Sequence, residues 1–178
     1  TGQGAIEDLY YAETAGAGGS TLSPNLLAED VASFFDPPRI AVAPGGEVWI
    51  ANGDRTGNGA QLLTLRRKGP GDGRFSSPVT IAGSAAANAG PAMAFDAEGM
   101  LHLSYGVFDP SAEELVEETQ VTEEPAFWAR TALALDDDGR PFLVFEKKSA
   151  GALAGGDVWF VREELPSAAS SNWLRPGL

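Results

Sequence analysis

The feature that most constrains this chain is a spacing. Runs beginning at Asp8, Gln61 and Glu114 lie 53 residues apart, and so do those beginning at Pro38 and Pro91. Self-similarity at a fixed period marks an array of like units, each one supersecondary motif long.

Three stretches open the units: Pro38 to Ala43, Pro91 to Asp96 and Thr131 to Asp136. Each alternates a large apolar residue with alanine. Each is followed three residues later by glycine, at Gly46, Gly99 and Gly139. A second apolar run follows, at Val48-Trp49-Ile50, Leu101-His102-Leu103 and Phe142-Leu143-Val144-Phe145. Strand, glycine-bearing turn and strand predict a hairpin. A third run recurs at Asp8 to Ala12, Gln61 to Leu65 and Asp157 to Val161, with Glu114 to Glu118 in the same register. A fourth spans Phe75 to Ile81, is echoed by Leu22 to Leu27, and falls at Trp173 to Pro176 in the last unit. Glu114 and Thr131 are only 17 residues apart, where the other intervals are 30. That unit is therefore expected to lose its outermost strand or reduce it to Val121–Glu124. A short helix from Asp109-Pro110-Ser111 is the local alternative, with Asp as N-cap and Pro at the first helical position; the register favours a strand.

Four short strands per unit predict an all-β chain, a β-propeller of about three and a half four-stranded blades. The half blade spans 5–28, and whole blades span 39–82, 91–124 (outer strand reduced) and 131–176. The large/small alternation suits inner strands buried on both faces. A β-sandwich would share the short strands but not the fixed register. Propellers close with about four to eight blades, so this number leaves open sheet edges and apolar faces. A ring-completing partner is therefore expected: the rest of a longer chain, a second copy, or another subunit. The chain opens on Thr1-Gly2-Gln3-Gly4, without methionine or a charged-then-apolar leader. A processed product, a fragment or an engineered chain is the expectation.

A formal net charge of −13 repels phosphate backbones, and no basic stripe offsets it, so nucleic acid is excluded as the expected partner. There is no cysteine, hence no disulfide framework, thiolate metal site or cysteine nucleophile. No apolar run is long enough to span a membrane as a helix.

Gln61 to Arg67 followed by Gly71 to Pro78 resembles the strand–turn–strand of sialidase-like, Asp-box (BNR-like) repeat propellers. Asp8 to Glu13 followed by Gly18 to Pro24 resembles it too, and the likeness runs over residues 5–176. No copy of the box is complete: Gly73 and Phe75 survive in one, Thr14, Gly18 and Ser20 in another. The box is a structural turn, so the likeness implies fold and not activity. Arg39-Ile40 resembles the start of the sialidase Arg-Ile-Pro motif, with Ala41 in place of the proline. In that family the arginine helps to grip the substrate carboxylate, a match of planar guanidinium to carboxylate. Asp54 and Arg55 follow where the family shows an acidic residue and a second arginine. Tyr105, beside Gly106, is the candidate for the family's tyrosine nucleophile. The resemblance implies a non-catalytic propeller module serving protein or glycan binding and assembly, with a fragment of a sialidase-type glycoside hydrolase as the alternative. Arg39, Asp54, Arg55 and Tyr105 are its candidate ligand contacts, and an extracellular or cell-surface location goes with it.

No cofactor is expected. Asp136-Asp137-Asp138-Gly139 offers the clustered oxygens that Ca²⁺ prefers, but its register places it at a hairpin turn, where Asp and Gly are turn formers. His102, the one histidine, is expected as a packed or rim residue. The tryptophans could stack on sugars, yet blades bury aromatics routinely. Glu113–Glu124 reads as a solvated edge.

Overall fold

A computed structural model of the chain describes residues 7–13, 24–31, 38–55, 61–82, 92–104, 106–118, 127–148, 157–163 and 173–174. Over these residues the fold is all-β, with four antiparallel sheets and no helix. A hairpin of β1 (Glu7–Tyr11) and β2 (Asn25–Val31) comes first. The first four-stranded sheet is β3 (Arg39–Val42), β4 (Val48–Arg55), β5 (Gln61–Lys68) and β6 (Val79–Ala82). The second is β7 (Met93–Phe95), β8 (Leu101–Leu103), β9 (Gly106–Asp109) and β10 (Glu114–Glu118). The third is β11 (Phe127–Leu135), β12 (Pro141–Lys148), β13 (Asp157–Glu163) and β14 (Trp173–Leu174). Within each sheet the strands pair in sequence order, so each four-stranded sheet is a meander.

One turn recurs in all three four-stranded sheets. At Ala43, Asp96 and Asp136 the backbone N–H donates four residues ahead, to Glu47, Met100 and Arg140 O, at 2.8, 3.1 and 3.1 Å. The glycine three residues on returns a bond to the opening carbonyl at 2.9, 3.2 and 3.0 Å. Gly46, Gly99 and Gly139 do so at φ of 85°, 87° and 77°, in the left-handed region that only glycine enters freely. In two copies an aspartate finishes the turn: Asp96 Oδ1 accepts from Met100 N at 2.8 Å and Asp136 Oδ1 from Arg140 N at 2.9 Å.

These turns lie at one end of the molecule. A Cβ built on Gly139 would stand 3.5 Å from Asp96 Cβ, so the turns of the second and third sheets adjoin. Trp49, just past the first turn, meets Phe95 and Phe108 edge to face, at 6.2 and 5.9 Å between ring centroids. At the same end the Lys68 ammonium holds Glu13, beyond β1, at 2.9 Å. Period-two alternation then decides the packing. Trp49, Ala51, Leu63 and Leu65 point from the first sheet into the second, against Leu101, Leu103 and Phe108, and form the main core. Full burial of each of these large side chains contributes about 1.5–3 kcal/mol. Ile50 points the other way, to Leu9, Tyr11, Leu27 and Ala28 of the hairpin and to Phe75. Between sheets, β3 lies beside β7 and β7 beside β11, first strand against first strand. Ala92 N donates to Thr131 Oγ1 at 3.2 Å across the second of these junctions.

The second sheet corrects the expected register. Its third strand is β9, and Glu114–Glu118 is the fourth strand, paired to β9 through Glu114 with Asp109 and Leu115 with Phe108. The coincidence at 53 residues therefore joins the fourth strand of this sheet to the third strand of the first, β5, and to β1 of the hairpin. The cause is a short connection. Only residues 104 and 105 separate β8 from β9, whereas five separate β4 from β5. The Asp109-Pro110-Ser111 segment is a turn, not a helix start: Asp109 Oδ1 accepts from Ser111 N at 2.8 Å and from Ser111 Oγ at 2.6 Å, and Glu113 turns the chain at φ 54°. Val121–Glu124 lies outside the described residues. The hairpin's second strand also begins later than expected and runs on to Val31. Among the described residues the sheets do not close into a ring.

Candidate functional site

Arg39 is the first residue of β3, half-buried, and pairs with Ala51. Asp54 and Arg55 end β4, opposite Leu62 and Gln61. At about 3.3 Å per residue their backbones lie roughly 10–13 Å beyond Ala51 along that strand. The three residues thus belong to one end of the first sheet, opposite the glycine turns. The side chains of Asp54 and Arg55, and all of Tyr105, lie outside the described residues.

The expected turn role of Asp136 is what the structure displays. Its Oδ1 accepts from Asp138 N at 3.0 Å as well as from Arg140 N, and Oδ2 stands 2.9 Å from Arg140 Nε. Asp138 also pairs with the Arg140 guanidinium. Among the described residues no three His, Cys, Asp or Glu side chains converge as metal ligands. His102 is a partly buried strand residue whose Nε2 lies 2.9 Å from Asp96 Oδ2, the carboxylate that closes its own turn.

Three features went unread in the sequence. The first is a buried polar row on the face of the first sheet that the hairpin covers: Asn52, Thr64 and Arg66. Arg66 Nη1 donates to Asn52 Oδ1 at 2.5 Å and to Thr64 Oγ1 at 3.2 Å. A hydrogen bond from a charged donor to a neutral oxygen is strong where water is absent. Alternation from Leu63 and Leu65 would have placed Thr64 and Arg66 on that opposite face, but nothing in the sequence said that the face is covered.

The second is a cleft of about 460 Å³ at the turn end, lined by Glu47, Arg67, Asp72, Arg74, Phe75 and Ser76. The β5–β6 connection builds it: Asp72 Oδ2 accepts from Gly69 N at 2.9 Å, and Ser76 N donates to Arg67 O at 2.8 Å. Glu47 lies 3.7 Å from Arg67. The walls offer guanidinium groups beside one aromatic ring, Phe75, which stands edge-on to Tyr11 at 4.9 Å.

The third is the pair of outer faces of the stack. Superposing the recurrent turn makes Ala51, Leu63 and Leu65 equivalent to Val144, Val158 and Phe160 through the strand registers. The first set is sealed, at 0–1% exposure; the second is open at 37%, 75% and 42%. The Phe142 and Phe160 rings meet on this open face, tilted at 34° with centroids 6.0 Å apart. At the other end Ile40 and Val42 are equivalent to Met93 and Phe95. Met93 and Phe95 pack into the core, while Ile40 and Val42 are 58% and 61% exposed. The hairpin covers β4 but leaves β3 bare, and it shows the paired Tyr10 and Leu26 on its own outward side.

No protein-family model matches this chain, and no curated protein resembles it at a significant level.

Proposed function

We propose that the chain is a run of β-propeller blades, a non-catalytic sialidase-like module that serves protein or glycan binding and assembly, and that its ring is completed by further blades. The observation that carries this reading is the adjacency of β3, β7 and β11, the first strands of three successive meanders. Sheets arranged about their first strands are the blades of a propeller. The recurrent turn supports it, since it opens each sheet at the same place and gathers on one end. The bare faces at both ends of the stack support completion from outside the described blades.

Glycan recognition in this reading falls to the guanidinium-bearing surfaces: Arg39 and the Asp54-Arg55 strand end on one side, and the Arg67–Arg74 cleft on the other. A guanidinium fork binds a sugar carboxylate through two parallel hydrogen bonds. The test is paired assays on the purified chain: binding to immobilised acidic and neutral glycans, and hydrolysis of a fluorogenic sialoside. Binding or assembly without turnover is expected. Turnover that Arg39→Ala abolishes would replace the module with a sialidase-type hydrolase.

A further inference from the structure

The cleft at the β5–β6 connection gathers positive charge in an acidic chain. Against 25 acidic and 12 basic residues in the whole sequence, two guanidinium groups, Arg67 and Arg74, line one space of about 460 Å³, a volume in the range of small-molecule pockets. The end of β5 and the returning chain are joined there by a reciprocal pair of bonds: Ser76 N donates to Arg67 O at 2.8 Å, and Ser76 Oγ accepts from Arg67 N at 3.1 Å. The same hydroxyl donates to Ser77 O at 3.0 Å, so its role is to hold the walls. Asp72 closes the turn through Oδ2, at 2.9 Å from Gly69 N, which leaves Oδ1 to accept from a ligand. Phe75 is anchored, edge-on to Tyr11 and packed against the cluster of Leu9 and Ile50. Neither guanidinium is saturated. Arg74 is exposed and makes no hydrogen bond or ion pair among the described residues, and Arg67 meets Glu47 only at 3.7 Å, beyond hydrogen-bond length.

Resting on the glycan-binding reading, we infer that this cleft is the acidic-sugar site and that its ligand is a pyranose ring carrying one carboxylate, of the hexuronate class. A guanidinium fork takes the carboxylate through two parallel hydrogen bonds. Glu47 and Asp72 accept from ring hydroxyls, and Phe75 supplies an apolar wall for the C–H groups of the ring. Charge sets the selectivity. Two arginines and two carboxylates cancel within the cleft, and the rest of the chain is acidic. A monoanion is therefore accepted, whereas a phosphate ester, with a charge of about −1.5 to −2 at neutral pH, is refused.

The test is NMR titration of the ¹⁵N-labelled protein with glucuronate, glucose, glucose 6-phosphate and acetate. Glucuronate should bind with a Kd of about 1–10 mM and shift the amide signals of Gly71, Gly73 and Arg74. The other three should bind about tenfold more weakly or worse: glucose lacks the charge, the phosphate carries too much, and acetate lacks the ring. Arg74→Gln, at an exposed position outside the core, should weaken glucuronate about tenfold and leave the thermal melt unchanged. Glu47→Gln keeps an acceptor but removes a repelling charge, so it should tighten glucuronate and begin to admit glucose 6-phosphate. Acetate or glucose 6-phosphate binding as tightly as glucuronate, or glucuronate affinity that Arg74→Gln leaves unchanged, would overturn the inference. Glucuronate binding that Arg39→Ala abolishes and Arg74→Gln does not would overturn the cleft and leave the glycan-binding reading standing. Failure of every acidic and neutral glycan to bind anywhere on the chain would overturn both.

Discussion

Arg66 Nη1 donates to Asn52 Oδ1 across 2.5 Å, between strands whose other face holds Trp49 and Leu65. Arg66 is 6% exposed beneath the hairpin, and Thr64 supplies a second oxygen. A buried charge that loses an acceptor retains its desolvation cost, so Asn52→Ala should lower unfolding stability by about 2–3 kcal/mol. Thr80→Ala, exposed on β6, should change it by less than about 0.5 kcal/mol. Urea unfolding of the two variants decides; equal effects would mean that the polar row contributes nothing.

Tyr11, Glu13 and Lys68 tie the hairpin to β5, and the contact shows in how the phenol and the carboxyl titrate. Burial raises the Tyr11 phenol to about 12, helped by its 2.8 Å hydrogen bond to Glu13 and by that carboxylate's charge. Lys68 holds the Glu13 carboxyl below the usual range, with the Tyr11 hydroxyl assisting. The signs follow from linkage. The raised phenol contributes stability that is complete below pH of about 10, the unfolded value, and is lost as pH rises toward 12. The lowered carboxyl contributes stability present above its unfolded pKa and lost as pH falls through the folded one. An ultraviolet titration should show one of the three tyrosines ionising late, and Tyr11→Phe should remove that component. Three tyrosines titrating together would contradict the contact.

The recurrent turn predicts a graded set of changes. Gly99→Ala forces a Cβ into φ of 87° with no clash nearby, so its cost is backbone strain alone, about 1–2 kcal/mol. Gly45→Ala, one position before the left-handed glycine of its own turn, has open space around it and should be neutral or stabilise by up to about 1 kcal/mol. Asp96→Ala removes the acceptor of Met100 N and the partner of His102, and should cost about 1–2 kcal/mol. Thermal melts of the three variants check the order.

Much of the fold was legible because glycine and alternation leave marks in sequence. Gly46, Gly99 and Gly139 announced turns that only a left-handed residue closes, and Ile40/Val42, Met93/Phe95 and Leu133/Leu135 announced the first strands beside them. The reading failed at β9. Gly106-Val107-Phe108-Asp109 is four residues long, bounded by a breaker on each side, and it puts Phe108 at the centre of the core. A periodic spacing that happened to land on Glu114 outweighed it. The candidate site was less legible still. Arg39 stands out by motif, whereas Val144, Val158 and Phe160 look like core residues in sequence and become a surface because no sheet among the described residues lies on them. Sequence alternation says which residues share a face, but not whether another sheet covers it.

The arrangement of sheets about their first strands is tested most directly by spin-label distances within one chain. One pair of labels, at Ala41 and Ala94, joins the first strands of neighbouring sheets; the other, at Thr80 and Val116, joins their outermost strands. Blades fanning from a common axis predict that the first pair is closer than the second. Equal separations would describe sheets stacked about 10 Å apart along their whole width, as in a sandwich, and would contradict the propeller.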